Sequence, residues 1–263
     1  MHTYWLREAA LTGTYSQFLI RRQDLSAALA GLQKSGVVGL NITIPHKEAV
    51  YALAHTAGRA AHAARAANVI LFRDAGWEVH NTDAEGLTNS LTECLGERAQ
   101  NVRRAVILGA GGAARAAVIA CDTLGVQEIC IMNRTASRAG NVVDAMRDST
   151  NAMLSVTLPA NWNSTAHDTG LLINASSAGL EGTASPEIAL NVLPARAAVC
   201  DLVYRPLETP LLARARARGL TTVDGLGMLM HQGALAFELL FGIRPLVTAA
   251  LRQKLEQAMS NGG

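Results

Sequence analysis

The sequence predicts an α/β protein of two domains, the second of which is built on a doubly wound parallel sheet. The chain has 263 residues, of which 49% are hydrophobic and 17% charged, and this is enough for two ordinary cores. From Arg104 onward, short apolar runs alternate with helix-length segments, which is typical of parallel strands covered by helices on both faces. The first of these runs ends on a glycine cluster, as a strand does before the first helix of a Rossmann-like domain.

The first domain is expected to alternate short helices and strands and to end in a hairpin. A helix is expected at Met1–Leu11, a strand at Thr14–Ile20, a helix with Asp24 as its N-cap at Asp24–Ser35 and a second strand at Val37–Ile44. Two helical stretches are expected between Pro45 and about Arg65, followed by a hairpin of Val69–Phe72 and Trp77–His80. A strand–helix–strand spacing this short favours a parallel, right-handed crossover. The tripeptide Asp74-Ala-Gly76 is typical of a hairpin turn.

The second domain is expected to contain a series of parallel strands separated by helices. The strands are predicted near Arg104 and at Glu128–Met132, Leu171–Asn174, Ala198–Val203 and Thr221–Val223. Two helices follow, from about Met228 to Phe241 and from Pro245 onward. Ligands of such a sheet bind at the carboxyl ends of its strands.

Composition excludes several classes of function. The formal net charge is +2, and no basic stripe with interleaved aromatic residues indicates a nucleic-acid partner. No apolar stretch is long enough to cross a membrane and no signal peptide is recognisable, so a cytoplasmic protein is expected. The four cysteines are widely spaced and lack metal-ligand spacing, which predicts reduced thiols and no metal site.

Two motifs in the second domain predict a dinucleotide site that prefers NADP. The first is the glycine cluster Gly109, Ala110, Gly111, Gly112 and Ala113, whose backbone N–H groups suit a pyrophosphate at a helix N-terminus. The second, after the next predicted strand, comprises Asn133, Arg134, Thr135 and Arg138. An acidic residue at that strand end would hold a ribose 2′-hydroxyl, whereas two arginines suit a 2′-phosphate. The alternative is a turn that needs glycine only for its backbone angles, followed by solvated arginines.

Two polar clusters in the first domain suggest a site for acid–base chemistry. One runs from Asn41 through Thr43 to Lys47, and the other is Asn81-Thr82-Asp83. Reduction of a ketone develops negative charge on its oxygen, and a lysine beside a carboxylate can supply the proton. The alternatives are structural: Lys47 as an ordinary lysine of a first helical turn and Asp83 as an N-cap.

Eight motifs in this order resemble the shikimate dehydrogenase family from residue 1 to near the C-terminus. They are Gly39–Lys47, Ala67–Asn68, Asn81–Asp83, Gly109–Ala113, Asn133–Arg138, Ile173–Gly179, Asp201–Pro210 and Asp224–Gln232. The resemblance implies NADP-dependent, reversible reduction of 3-dehydroshikimate to shikimate in chorismate and aromatic amino acid biosynthesis. It also implies a first domain of residues 1–83 plus 227–263, an NADP domain of residues 84–226, and a monomer or homodimer.

The resemblance also implies roles for individual residues. Lys47 and Asp83 would be the catalytic pair. The substrate hydroxyls would meet Thr43, Asn68, Asp83 and Gln232, with Tyr204 nearby. The pyrophosphate would lie on Gly109–Ala113 and the adenosine phosphate on Asn133–Arg138. Leu202 and Gly225 would lie beside the nicotinamide.

The chain departs from the family pattern in three places. Met1-His2 corresponds to a point inside the family's first helix, so we expect the natural chain to start further upstream, with a first strand and a His-Ser-x-Ser-Pro segment. Val69 and Ala84 stand where the family usually has Thr and Gly. Two alternatives therefore stay open: a quinate- or aminoshikimate-type dehydrogenase, and a non-catalytic cofactor-binding homologue that lacks the anchor for the substrate carboxylate.

Overall fold

The structure, a computed structural model, describes residues 1–180 and 183–260. The chain divides into two compact units: the first comprises Met1–Asp83 and the residues from Met230 onward, and the second comprises Ala84–Leu229. Among the described residues, none of the helices combines the length and apolar character needed to cross a bilayer. The domain boundaries given above stay a prediction.

The first unit is built on a four-stranded sheet with the order β1-β3-β4-β2. Its elements are α1 His2–Glu8, α2 Leu25–Lys34, β1 Gly39–Asn41, α3 Lys47–Leu53, β2 Thr56–Ala57, α4 Arg59–Ala64, β3 Val69–Arg73, β4 Gly76–His80 and α11 Ala249–Ser260, together with the end of α10 Gly225–Phe241. Strands β3 and β4 are antiparallel and pair Ile70 with Val79, which confirms the predicted hairpin.

The predicted parallel crossover at the start of the chain is wrong. Thr14–Ile20 contains no strand, and β1 pairs antiparallel with β3. The composition of Thr14–Ile20 suits a strand, but Phe18 is 51% exposed and Leu19 is fully exposed, and no strand among the described residues pairs with this segment. Without a partner strand, an extended backbone here gains no ladder of hydrogen bonds, and the carbonyl of Ile20 bonds Nε2 of His46 at 2.9 Å instead. The second predicted strand, Val37–Ile44, is also shorter than expected, and its strand region is limited to β1.

The helices of the first unit cover its sheet with small and branched apolar side chains. Leu25 and Leu29 of α2 and Val50 of α3 form one buried cluster with Ile70 and Val79 of the hairpin. Asp24 directly precedes α2, but its side chain makes no capping hydrogen bond. Packing of the apolar face therefore holds α2 in place, because a helix this short gains little from its intrinsic propensity.

The second unit is built on six parallel strands with the order β10-β9-β8-β5-β6-β7. Its elements are α5 Asp83–Leu95, β5 Arg104–Leu108, α6 Gly112–Thr123, β6 Glu128–Met132, α7 Ala136–Met146, β7 Met153–Thr157, α8 Trp162–Ala166, β8 Leu171–Asn174, β9 Ala198–Asp201, α9 Pro210–Ala217, β10 Thr221–Val223 and the start of α10. The chain winds outward from β5 to both edges, which confirms the predicted doubly wound fold.

Strand β7 was not predicted. It lies at one edge of the sheet, where Met153 is 69% and Val156 40% exposed, so it lacks the continuous apolar run of the central strands. The central strands are buried on both faces, with Ile107 and Ile173 in one core cluster and Val106 and Leu172 in another. Since all six strands are parallel, their carboxyl ends all lie at the same end of the sheet.

Candidate active site

Lys47 and Asp83 form a close ion pair in the first unit. Lys47 is the first residue of α3 and Asp83 the first of α5, and 2.6 Å separates Lys47 Nζ from Asp83 Oδ2. The side chain of Asp83 is 8% exposed and that of Lys47 is 24% exposed. A cation at a helix N-terminus opposes the helix dipole, so Lys47 is not placed there to stabilise α3. The neighbouring carboxylate compensates for its charge.

The capping function that could explain Asp83 is performed by another residue. The side-chain oxygen Oδ1 of Asn81 accepts the backbone N–H of Asp83 at 2.9 Å, and Nδ2 of Asn81 donates to the carbonyl of Ala66 at 2.9 Å. Asn81 bonds the first N–H of the helix, while the Asp83 carboxylate contacts Lys47 and Asn68. The purely structural alternative for Asp83 is therefore the weaker one.

Asn68 connects the residues around the ion pair. Its side chain is buried, and its Oδ1 accepts the backbone N–H of Thr82 at 2.9 Å. Its Nδ2 lies 3.0 Å from Asp83 Oδ1, 3.0 Å from Gln232 Oε1 and 2.8 Å from Thr82 Oγ1. An amide has only two N–H bonds, so these three acceptors share two protons. Asn68 thus fixes the orientation of the carboxylate that faces Lys47.

Gln232 closes this network from the part of α10 that belongs to the first unit. The hydroxyl of Thr82 donates to the backbone carbonyl of Gln232 at 3.0 Å, and the side chain of Gln232 is half-buried. The first unit therefore brings together Lys47, Asn68, Asp83 and Gln232, four of the residues to which the resemblance gives a role. Thr43 is exposed, and its backbone carbonyl accepts the N–H of His46 at 2.9 Å.

In the second unit, the glycine cluster forms the turn between β5 and α6. Gly109 has a φ of +108°, and a Cβ there would lie 3.1 Å from backbone atoms of Ala175 and Ser176, so both the conformation and the space require glycine. At Gly111 and Gly112 an added Cβ would meet nothing within 4 Å. The N-terminus of α6 thus faces open space, with Ala110 and Ala113 as the other residues of the turn.

The arginine motif follows β6, at the carboxyl ends of the strands, as the glycine turn after β5 does. A cavity of about 590 Å³ is lined by Gly109, Asn133 and Arg134, together with Ser176. Arg134, Thr135 and Arg138 are exposed, and Asn133 Nδ2 donates to the carbonyl of Thr135 at 2.9 Å, which orders the turn that carries the arginines. Gly109 of the glycine turn and Arg134 therefore line one cavity, together with Glu187.

Leu202 and Gly225 are in direct contact. A Cβ at Gly225 would lie 2.5 Å from the carbonyl oxygen of Leu202, so only glycine allows the start of α10 to approach this loop. The backbone N–H of Leu202 donates to the carbonyl of Asn174 at 3.0 Å. Tyr204, two residues further along the same loop, is 39% exposed.

Several residues near these clusters were not predicted as site residues. Asn81 and Thr82 belong to the quoted Asn-Thr-Asp motif, but only the structure reveals that Asn81 accepts the backbone N–H of Asp83 and that the backbone N–H of Thr82 donates to Asn68, which in turn bonds the Asp83 carboxylate. The cavity is also lined by Pro159 and Ser177. Ser177 belongs to the motif Ile173–Gly179 but was not predicted to line a site, and Pro159 has no sequence signal, because its position depends on where the loops after β7 and β8 meet. Among the described residues, no group of three or more His, Cys, Asp or Glu side chains could hold a metal ion.

The fold and these clusters define a dinucleotide-binding α/β protein with a lysine–aspartate pair. The family profile of the shikimate dehydrogenase substrate binding domain matches residues 1–70, and that of the shikimate 5′-dehydrogenase C-terminal domain matches residues 225–256. A shikimate dehydrogenase (NADP(+)) of Mesorhizobium japonicum is 43% identical over 252 residues, which cover 96% of this chain and 88% of the relative. The chain therefore belongs to the shikimate dehydrogenase family.

Solved structures agree with the fold. The shikimate 5-dehydrogenase of Thermus thermophilus, in complex with NADP(H) and shikimate, has a TM-score of 0.81 and 31% identity, and the match covers 99% of this chain and 92% of that one. The ligand-free 5-ketofructose reductase of Gluconobacter sp. strain CHM43 has a TM-score of 0.85 and 31% identity, with coverage of 100% and 92%. Structural likeness at this level thus includes proteins named for different substrates.

Proposed function

We propose that this protein catalyses the reversible, NADP-dependent reduction of 3-dehydroshikimate to shikimate. The observation that carries the proposal is the 2.6 Å contact between Lys47 Nζ and Asp83 Oδ2 within a buried network of amides. Membership of the shikimate dehydrogenase family supports it, as does the name of the relative with 43% identity. The reaction belongs to chorismate and aromatic amino acid biosynthesis.

The second unit has the donors that NADP requires. The open N-terminus of α6 at Gly111 and Gly112 offers backbone N–H groups to a pyrophosphate, where a side chain would block the approach. Arg134 and Arg138 are exposed cations that can pair with a 2′-phosphate, and a carboxylate in their place would repel it. We assign Gly109–Ala113 and Asn133–Arg138 to the cofactor, and Leu202 and Gly225 to its nicotinamide end. When bound, NADPH supplies the hydride.

Lys47 transfers the proton of the reaction, and Asp83 holds Lys47 in place. In the reducing direction, Nζ of Lys47 donates its proton to the carbonyl oxygen of the substrate as that oxygen becomes a hydroxyl. Its ammonium also stabilises the negative charge that develops there. Asp83 orients the ammonium through the 2.6 Å contact. Lys47 is partly exposed and regains a proton from solvent; in the oxidising direction the proton moves back to Nζ.

The family resemblance assigns five polar side chains to the substrate hydroxyls: Thr43, Asn68, Asp83, Gln232 and Tyr204. Asn68 and Gln232 already bond each other, at 3.0 Å, and a substrate hydroxyl would take the place of one such bond. Exchange of one hydrogen bond for another costs little, while the geometry of the network selects where the hydroxyl lies.

A quinate- or aminoshikimate-type activity is less well supported, because the relative at 43% identity is named for shikimate. A cytoplasmic location and a monomeric or homodimeric state are also part of the proposal. The cytoplasmic location is consistent with the free, mostly buried cysteines.

The direct test is steady-state kinetics of the purified chain with shikimate, quinate and aminoshikimate, each with NADP⁺ and with NAD⁺. We expect the highest kcat/KM for shikimate with NADP⁺. A higher value for quinate would replace the proposed substrate, and NADPH binding without turnover of any of the three would replace the proposed enzyme by a cofactor-binding homologue. Asp83→Asn is expected to abolish most turnover, whereas Asp24→Asn, at an exposed carboxylate without a capping bond, serves as the matched control.

A further inference from the structure

Asp201 is a buried carboxylate at the end of β9 whose role the proposed function leaves open. Its side chain is fully buried, and its donors among the described residues are uncharged: Asn174 Nδ2 and the N–H of Val203 reach Oδ1 at 2.8 and 3.1 Å, and Thr209 Oγ1 reaches Oδ2 at 2.6 Å. Burial raises the pKa of Asp201, although these hydrogen bonds oppose the shift. A carboxylate in such a place is costly to bury, so its retention calls for a reason other than stability.

The hydrogen bonds of Asp201 join the two ends of one loop. Asp201 is the last residue of β9, and Thr209 directly precedes α9. The bond between their side chains therefore closes the loop 202–208, which carries Leu202 and Tyr204. Thr209 is fully buried, and its hydroxyl also accepts the N–H of Leu212 at 3.3 Å as the N-cap of α9. The loop is thus fastened to a strand at one end and to a helix at the other.

The same carboxylate is connected to the cofactor cavity. Asn174 is the register partner of Asp201 on β8, and its Oδ1 accepts the hydroxyl of Ser176 at 2.7 Å. Ser176 lines the cavity with Gly109 and Arg134. A chain of side-chain hydrogen bonds therefore runs from the cavity wall to the loop that carries Leu202 and Tyr204, and all of it lies in the second unit.

We propose that Asp201 and Thr209 are positioning residues, which hold the loop 202–208 so that Leu202 keeps the geometry needed at the nicotinamide end of the cofactor and Tyr204 keeps the geometry needed for the substrate. This inference rests on the proposed function, because it assigns a catalytic setting to that loop. It predicts that loss of the Thr209 hydroxyl affects turnover more than it affects binding of the adenosine end, which Arg134 and Arg138 hold.

The variants that test the inference are Thr209→Val, which keeps the shape and removes the hydroxyl, and Thr209→Ser, which restores it. Thr248→Val is the matched control, because Thr248 Oγ1 accepts the N–H of Leu251 at 3.2 Å at the start of α11 and has no connection to Asp201. We expect T209V to lower kcat/KM for shikimate by about tenfold or more. T209S and T248V are expected to stay near the wild-type value.

Two further measurements separate positioning from a loss of structure. Affinity for adenosine 2′,5′-bisphosphate, which lacks the nicotinamide, is expected to change less than about twofold in T209V, since its donors are untouched. Limited chymotrypsin digestion is expected to cleave after the exposed Tyr204 faster in T209V than in wild type or T209S. If T209V does not fold, Thr209→Ala carries the same expectations.

Equal kinetics and equal cleavage after Tyr204 in T209V, T248V and wild type would overturn the inference. If the wild-type chain does not turn over shikimate, the proposed function fails by itself. In that case the cleavage rate after Tyr204 still decides whether Thr209 holds the loop.

Discussion

The two units hold their predicted site residues in opposite ways. In the first unit, Asn68 and Asp83 are buried, and each bonds several neighbours over 2.6–3.0 Å. In the second unit, Arg134 and Arg138 are exposed, and the helix N-terminus at Gly111 faces open space. One region is a closed network of side chains, and the other is a set of separate donors at the edge of a sheet.

This difference teaches which physical effect each region can supply. A buried network keeps its geometry because any displaced group loses hydrogen bonds that water cannot replace, so it suits proton transfer with fixed distances. Exposed arginines and backbone N–H groups attract an anionic ligand over a wider range of geometries, so they contribute to the affinity for that ligand and do not depend on fixed distances. Substitutions in the first region should therefore be strongly coupled, whereas those in the second should act independently and depend on salt.

The largest effect is expected for Lys47→Met, which keeps the length of the side chain and removes the ammonium. Without the proton donor and the positive charge, kcat for shikimate oxidation is expected to fall by roughly 10²–10⁴-fold. The control is Lys34→Met, at an exposed lysine at the end of α2, which should keep the wild-type rate. A wild-type kcat for K47M would show that the ion pair is structural.

A smaller but broader effect is expected for Asn68→Ala. The substitution leaves the N–H of Thr82 and Oδ1 of Asp83 without their buried partner, so the free energy of unfolding should fall by about 2–4 kcal/mol. Urea unfolding measures this loss, and Asn101→Ala, at an exposed asparagine, is the control.

The coupling within the network can be measured separately. In a double-mutant cycle on kcat/KM, Asn68→Ala and Asp83→Asn are expected to be non-additive by about 0.5–3 kcal/mol, because Asn68 acts through the carboxylate that it orients. Additive effects would mean that the two side chains work independently, and the contrast between the two regions would then fail.

The effect of Arg134→Gln is expected to be confined to cofactor affinity. Loss of one charge-assisted bond to a 2′-phosphate should raise the Kd for NADP⁺ by about 10–100-fold and leave the Kd for NAD⁺ nearly unchanged. Titration at two salt concentrations measures both, and the difference between the cofactors should shrink at high salt. Arg103→Gln, at an exposed arginine before the amino end of β5, is the control. Equal affinity of the wild-type chain for both cofactors would contradict the prediction.

The sequence predicted the second unit more closely than the first. Strands such as Glu128–Met132 and Leu171–Asn174 have the predicted bounds, because a buried parallel strand is a short apolar run with clear ends. The edge strand Met153–Thr157 lacks that signal. Thr14–Ile20 has the composition of a strand but no partner strand in the part of the chain that the structure describes, and pairing is a property of the fold that no local pattern contains.

The sequence indicated which residue types the candidate site contains, but not most of the contacts between them. Lys47 and Asp83 lie 36 positions apart, and their contact follows only from the family resemblance or from the structure. The supporting roles of Asn81 and Thr82 and the loop closure by Asp201 and Thr209 depend on which backbone groups meet in space. Side-chain types in a sequence indicate which chemistry is available, but the hydrogen-bond partners of a buried group are set by packing.

The central claim is that Lys47 and Asp83 perform the chemistry and that Arg134 and Arg138 contribute to cofactor binding. The most direct test is to measure NADPH affinity and shikimate turnover together in K47M and R134Q. We predict that K47M binds NADPH with wild-type affinity and has lost nearly all turnover. R134Q should bind NADPH more weakly and keep wild-type kcat at saturating NADP⁺. Wild-type turnover by K47M, with NADPH affinity unchanged, would contradict the account.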